Sequence, residues 1–156
     1  MTQAQVIARL APTPGRRGLA VAILYGLGGL LVALGLLHPT LPAFRVVLVV
    51  LGAGTLLLGE KLRRATALAL ELTEAGLRDS TGRMLAPMAQ IRQIDRGIFA
   101  FKPSNGFLVT LDRPVERAWA PGLYWCLGRR IGVGGVVSSG PARAMAEQIA
   151  ARIAAP

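Results

Sequence analysis

Acidic residues are scarce in this 156-residue chain: eight Asp and Glu stand against eighteen Lys and Arg, for a formal net charge of +10. None of the eight precedes Glu60. Cysteine occurs once, as Cys126, which excludes an internal disulfide and fits a reducing compartment. Histidine also occurs once, as His38. Aromatic residues make up 5% of the chain, and the bases do not cluster among them into the basic, stacking face that nucleic-acid binding needs. Nucleic acid is therefore not an expected partner.

Catalytic signatures are missing as well. There is no Walker loop, nucleophile elbow or zinc-protease helix. Gly132-Val133-Gly134-Gly135 has Val137 where the third glycine of a dinucleotide loop belongs, so these read as strand glycines. The carboxylates Glu71, Glu74, Asp79, Asp95, Asp112 and Glu116 fall where strand faces and turns place solvated acids. No catalytic, cofactor-binding or metal-binding residue is expected, and the chain is not expected to be an enzyme.

What is present is apolar. Hydrophobic residues reach 53% and the mean hydropathy is +0.49, yet 17% of residues are charged, so two environments share one chain. Residues 18–37 form an uncharged run of twenty, about 30 Å as a helix, which is the thickness of a membrane's hydrocarbon core. Pro39 and Pro42 stop it, with His38 and Thr40 in the connection. Only fourteen uncharged residues separate Arg45 from Glu60, about 21 Å of helix. Counting from Leu41 extends the second span to residues 41–59, with Arg45 in the first turn and its guanidinium reaching the outer interface. A re-entrant or buried soluble helix is the other reading of so short a run. The first run is too long for a cleaved signal and no small-x-small site follows it.

Residues 1–65 are thus expected to form a transmembrane hairpin. Arg9, Arg16 and Arg17 before it, and Lys61, Arg63 and Arg64 after it, place both termini on the cytoplasmic side. Ala22, Gly26, Gly29 and Ala33 recur on one side of the first helix, and Gly52, Thr55 and Gly59 on one side of the second. These small residues predict close helix packing, within one chain or between two copies. His38 would then lie across the membrane from Cys126, which excludes Cys-His chemistry within one chain.

From Ala67 the hydrophobic period becomes two. Leu68, Leu70 and Leu72 mark a strand; residues 77–79 and 84–86 return as short strands of a meander. Ile91 and Ile94, the apolar run 98–101, the turn Pro103-Ser104-Asn105-Gly106 and the strand 107–111 come next. An edge strand over 115–119 and a last strand over 131–137 precede a helix capped at Ser138 or Ser139, with Pro141 in its first turn. Met145, Ile149 and Ile153, with Ala142, Ala146 and Ala150, give that helix an apolar stripe to lay on the sheet; Arg143, Glu147 and Arg152 face solvent.

Three stretches carry a resemblance: Leu70-Glu71-Leu72-Thr73-Glu74-Ala75-Gly76-Leu77-Arg78-Asp79, residues 88–94, and residues 131–153 passing through Ser139 into the helix. The chain resembles bacterial inner-membrane proteins of uncharacterised function that carry a two-helix anchor and a pleckstrin-homology-like domain. The resemblance implies an α+β fold in which residues 66–156 form a barrel or sandwich of about seven strands with a C-terminal helix, on the cytoplasmic side of a bacterial inner membrane. Some pleckstrin-homology domains bind phosphoinositides through a basic loop between the first two strands. Here that loop holds Glu74 and no base, so the role is not carried over.

Two groups stand out as surfaces. Trp119, Tyr124 and Trp125, with Leu123, are an aromatic cluster that belongs to the core, to the membrane interface or to a partner-binding face. Arg129 and Arg130 are ordinary solvated arginines or contacts for anionic head groups. The leading expectation is a non-enzymatic, membrane-anchored module that scaffolds or binds another membrane or cytoplasmic protein. The rival is an anionic-lipid sensor using Arg129 and Arg130 with Lys61, Arg63 and Arg64.

Overall fold

The computed structural model describes residues 5–38, 41–96 and 104–154. It has two compact units, Pro14–Arg64 and the pair Met1–Thr13 with Ala65–Pro156.

Among the described residues the first element is a five-residue strand β1 (Val6–Leu10), followed by helices α1 (Pro14–Leu37) and α2 (Pro42–Ala65). Proline at the first position of each helix suits its fixed φ and missing N–H. Each helix has 24 residues, about 36 Å. Both are long and apolar enough to cross a membrane. They exceed the expected 18–37 and 41–59 because capping and side-chain pairing, not hydropathy alone, decide where a helix ends. At the far end, α2 runs on through Glu60, whose carboxylate accepts from Arg63 and Arg64 one turn later.

Three residues after β1 the chain enters α1, and four residues after α2 it enters β2 (Leu70–Thr73), which pairs antiparallel with β1. The helices are thus an insertion between neighbouring strands of one sheet. This corrects the expected boundary of residues 1–65 and 66–156, since β1 belongs with the sheets. β3 (Gly76–Asp79) and β4 (Met84–Pro87) complete a four-stranded meander, β1-β2-β3-β4. Gly76 turns the β2–β3 corner at φ +144°, where a Cβ would overlap the Ala86 carbonyl.

After one 3₁₀ turn, Met88–Gln90, come β5 (Ile91–Asp95), β6 (Phe107–Leu111), β7 (Ala118–Ala120), β8 (Tyr124–Leu127) and β9 (Arg130–Val133). They form a second antiparallel sheet in the order β5-β6-β9-β8-β7. Asn105 takes φ 59° before β6, the left-handed geometry expected of Asn-Gly. The last helix, α3 (Ser139–Ala154), packs on β5, β1 and β6, so it spans an edge of each sheet. Its buried stripe is Ala142, Met145, Ala146 and Ile149; Ile153, expected in it, is 36% exposed. One core of Leu10, Leu70, Leu72, Leu77, Phe107, Val109, Ile131 and their neighbours fills the space between the sheets and α3.

Among the described residues nine strands form two sheets, not about seven, and they close no barrel. The edge strand lies at Ala118–Ala120 rather than 115–119. The last strand stops at Val133, because Val136 and Val137 pair instead with Thr13 and Pro12. The expected run 98–101, Pro103, Pro39 and Thr40 lie outside the described residues.

Candidate functional site

Within the hairpin, α1 meets α2 along Gly28 and Gly35. A Cβ on Gly28 would lie 2.8 Å from Leu56 and 3.0 Å from the Gly52 carbonyl; one on Gly35 would lie 2.8 Å from Val49. Gly52 and Gly59 sit at this contact as expected, against Val32 and against Leu24 and Tyr25. The expected α1 face does not. Gly26 and Gly29 have open space around them and Ala22 is exposed; Ala33 is half-buried. The true face is rotated by one residue, about 100° of helix. With glycines at 26, 28, 29 and 35, small-residue spacing alone does not select it. Thr55 bonds the Leu51 carbonyl within its own helix at 2.8 Å instead of reaching across.

Arg45 lies in the first turn of α2 as expected. Its Nε and Nη2 donate to the Gly35 and Leu36 carbonyls at 3.1 and 3.2 Å, satisfying acceptors that the end of α1 leaves without intrahelical donors. A second polar group went unforeseen. Tyr25 on α1 donates to Glu60 Oε2 on α2 at 2.8 Å, and Arg63 and Arg64 hold the same carboxylate at 2.7 Å. The bases expected to act on lipid, Arg63 and Arg64, are therefore engaged by Glu60. The signal in the sequence was a single acid followed by bases at the third and fourth positions.

In the sheet unit the aromatic cluster divides by strand parity. Tyr124, Cys126, Ala118 and Ala120 point inward and are buried; Trp119, Trp125 and Leu127 share the outer face of the five-stranded sheet with Arg130. Trp125 is half-buried over Gly132, where a Cβ would fall inside its indole ring. Trp119 is 55% exposed and Leu127 53%. Tyr124 leaves the expected surface set: burial pushes its phenol up to about 12, helped by Asp79. Burial also pushes the Cys126 thiol up to about 11, so it carries its proton at neutral pH.

Arg129 lies in the β8–β9 turn, its carbonyl accepting from Leu111 N–H at 2.8 Å, and Arg130 opens β9. The other end of β9 leads to Val136, whose carbonyl accepts from Thr13, the residue before α1. Arg129 and Arg130 therefore stand one strand length, about 13 Å, from the end of the sheet where the chain leaves for the helices.

No protein-family model matches the chain, and no curated protein or solved structure matches it.

Proposed function

We propose that the chain is a bacterial inner-membrane protein whose α1–α2 hairpin anchors a cytoplasmic, pleckstrin-homology-like domain that is non-enzymatic and binds another protein. The observation that carries the anchor is the outward apolar surface of the helices: Leu19 is 64% exposed, Val50 63% and Leu57 72%. Such surface is costly in water and costless in lipid. The β1–β2 pairing supports it, because a sheet that receives both ends of the hairpin needs both on one membrane face. Arg16, Arg17, Lys61, Arg63 and Arg64 at those ends favour the cytoplasm. A two-sheet domain with a C-terminal helix supports the pleckstrin-homology likeness, although the inserted hairpin and the unclosed sheets depart from a simple barrel.

The partner reading rests on the outer face with Trp119, Trp125 and Leu127 rimmed by Arg129 and Arg130, since exposed aromatic and arginine residues carry most interface energy. Arg129 and Arg130 as lipid contacts fit less well, being at the end of β9 away from the Thr13–Val136 hydrogen bond. Carbonate extraction and terminal reporter fusions test the anchor: release into the soluble fraction, or a C-terminal reporter active only outside the cytoplasm, ends it. Cross-linking in mild detergent tests the partner. Capture by wild type that a Trp119→Ala, Leu127→Ser pair abolishes supports it, and capture insensitive to that pair overturns it.

A further inference from the structure

Four arginines gather around the β8–β9 turn. Leu111 N–H donates to the Arg129 carbonyl and Val115 N–H to the Gly128 carbonyl, each at 2.8 Å, which lays residues 112–117 against that turn. Arg113 and Arg117 lie in this segment, Arg129 in the turn and Arg130 at the start of β9, and all four are exposed. The two acids of the segment are already matched by other arginines: Glu116 meets Arg83 at 2.9 Å, and Asp112 lies 3.8 Å from Arg92. Among the described residues none of the four arginines has a carboxylate partner. Like charges held this close repel, and an anionic partner would relieve them. Beside them the surface is apolar. Leu127, 53% exposed, stands opposite Arg130 in the β8–β9 register, and Trp119, 55% exposed, stands opposite Trp125, two residues back along β8. Over about 7 Å of strand the outer face therefore passes from apolar to cationic.

We propose that this patch docks an acidic segment of a partner protein, its carboxylates on Arg113, Arg117, Arg129 and Arg130 and an adjoining apolar side chain on Leu127 and Trp119. The inference rests on the reading of this face as a partner surface and adds the partner's chemistry. A guanidinium's planar fork of N–H donors matches a carboxylate, and such charge-assisted pairs are the strong ones. A second copy of this chain suits poorly as the occupant, because Glu60, Glu71, Asp112, Glu116 and Glu147, five of its eight acids, already pair with its own arginines. Single-stranded nucleic acid favours successive stacking platforms, and of the two tryptophans here Trp125 lies folded over Gly132. Lipid head groups suit less because the turn is at the end of β9 away from the Thr13–Val136 hydrogen bond, and Thr13 is the residue before α1.

The test uses the full chain in neutral maltoside micelles and the fluorescence anisotropy of a rhodamine-labelled peptide of two leucines followed by four glutamates, beside a counterpart with glutamine for glutamate. Saturable binding of the glutamate peptide, at least tenfold tighter than its counterpart and weakened severalfold as added salt screens the patch, is expected. Arg129→Gln with Arg130→Gln, and separately Arg113→Gln with Arg117→Gln, should each weaken it fivefold or more. Arg143→Gln with Arg152→Gln on α3 removes the same net charge elsewhere and should change it less than twofold. Arg129→Lys with Arg130→Lys should restore most of the binding, which damaged folding would not allow. No binding, equal binding of the two peptides, or equal losses in the patch and α3 pairs overturns the proposal; so does tighter binding of dioctanoyl-phosphatidylglycerol or of a short oligouridylate through the same arginines. In cross-linking, capture that survives Trp119→Ala with Leu127→Ser ends the partner reading. A peptide that fails while capture still depends on that pair ends only the acidic class.

Discussion

Tyr124 on β8 donates its hydroxyl hydrogen to Asp79 Oδ2 on β3 across 3.2 Å, joining the two sheets through buried side chains. The other carboxylate oxygen accepts from Thr81 and Arg83 N–H at 2.9 and 3.1 Å and from the Thr81 hydroxyl, holding the β3–β4 turn. Tyr124→Phe leaves Oδ2 buried without this donor and should cost about 1–3 kcal/mol. Asp79→Ala also releases the turn amides and should cost more. Urea unfolding of the full chain in mild detergent measures both.

Alkaline pH should weaken the same region. Tyr124 and Cys126 keep their protons to about 12 and about 11 when folded, against 10.0 and 9.0 ordinarily. The unfolded chain loses these protons first, so their contribution is complete below pH 9 and disappears as pH rises through 11 and 12. Each group accounts for a loss on the order of 2 kcal/mol. A pH series of unfolding midpoints should show the decline from about pH 9, and Tyr124→Phe should flatten its upper part.

Helix packing distinguishes two faces of α1. Gly28→Leu, which drives atoms into Leu56 and the Gly52 carbonyl, should destabilise the hairpin by about 1–3 kcal/mol. Gly26→Leu points into open space and should stay within about 0.5 kcal/mol. Thermal unfolding in detergent reads the difference; equal effects would restore the Ala22–Gly26–Gly29–Ala33 face.

Gly132→Ala should cost about 1–3 kcal/mol by forcing the Trp125 ring outward. Combined with Trp125→Ala, the added penalty should vanish, a coupling that a double-mutant cycle measures directly.

Residues 66–156 alone should fold poorly, because they lack β1 and its fully buried Leu10. In the full chain, Leu10→Ala should lower sheet-unit stability by about 2–5 kcal/mol. Proteolysis of the shorter fragment, compared with one in which residues 5–13 are joined ahead of residue 66 by a flexible linker, tests this. Equal resistance would make β1 dispensable.

Local periodicity in the chain was enough to identify both apolar helices, the Leu70–Thr73 and Phe107–Leu111 strands, the Asn-Gly turn and the stripe of α3, because each is a pattern within a few residues that hydrophobic burial reads directly. Nothing local marks Val6–Leu10 as a strand: its partner β2 lies sixty residues further on, beyond the helices. Tyr124–Leu127 hides likewise, since four apolar residues in a row show no alternation until neighbouring strands give them an inside and an outside. Which glycine of α1 touches α2 and which aromatic turns from the surface to Asp79 were decided by tertiary structure alone. Those outcomes depend on register and rotation, and a shift of one residue, physically small, moves a side chain to another face.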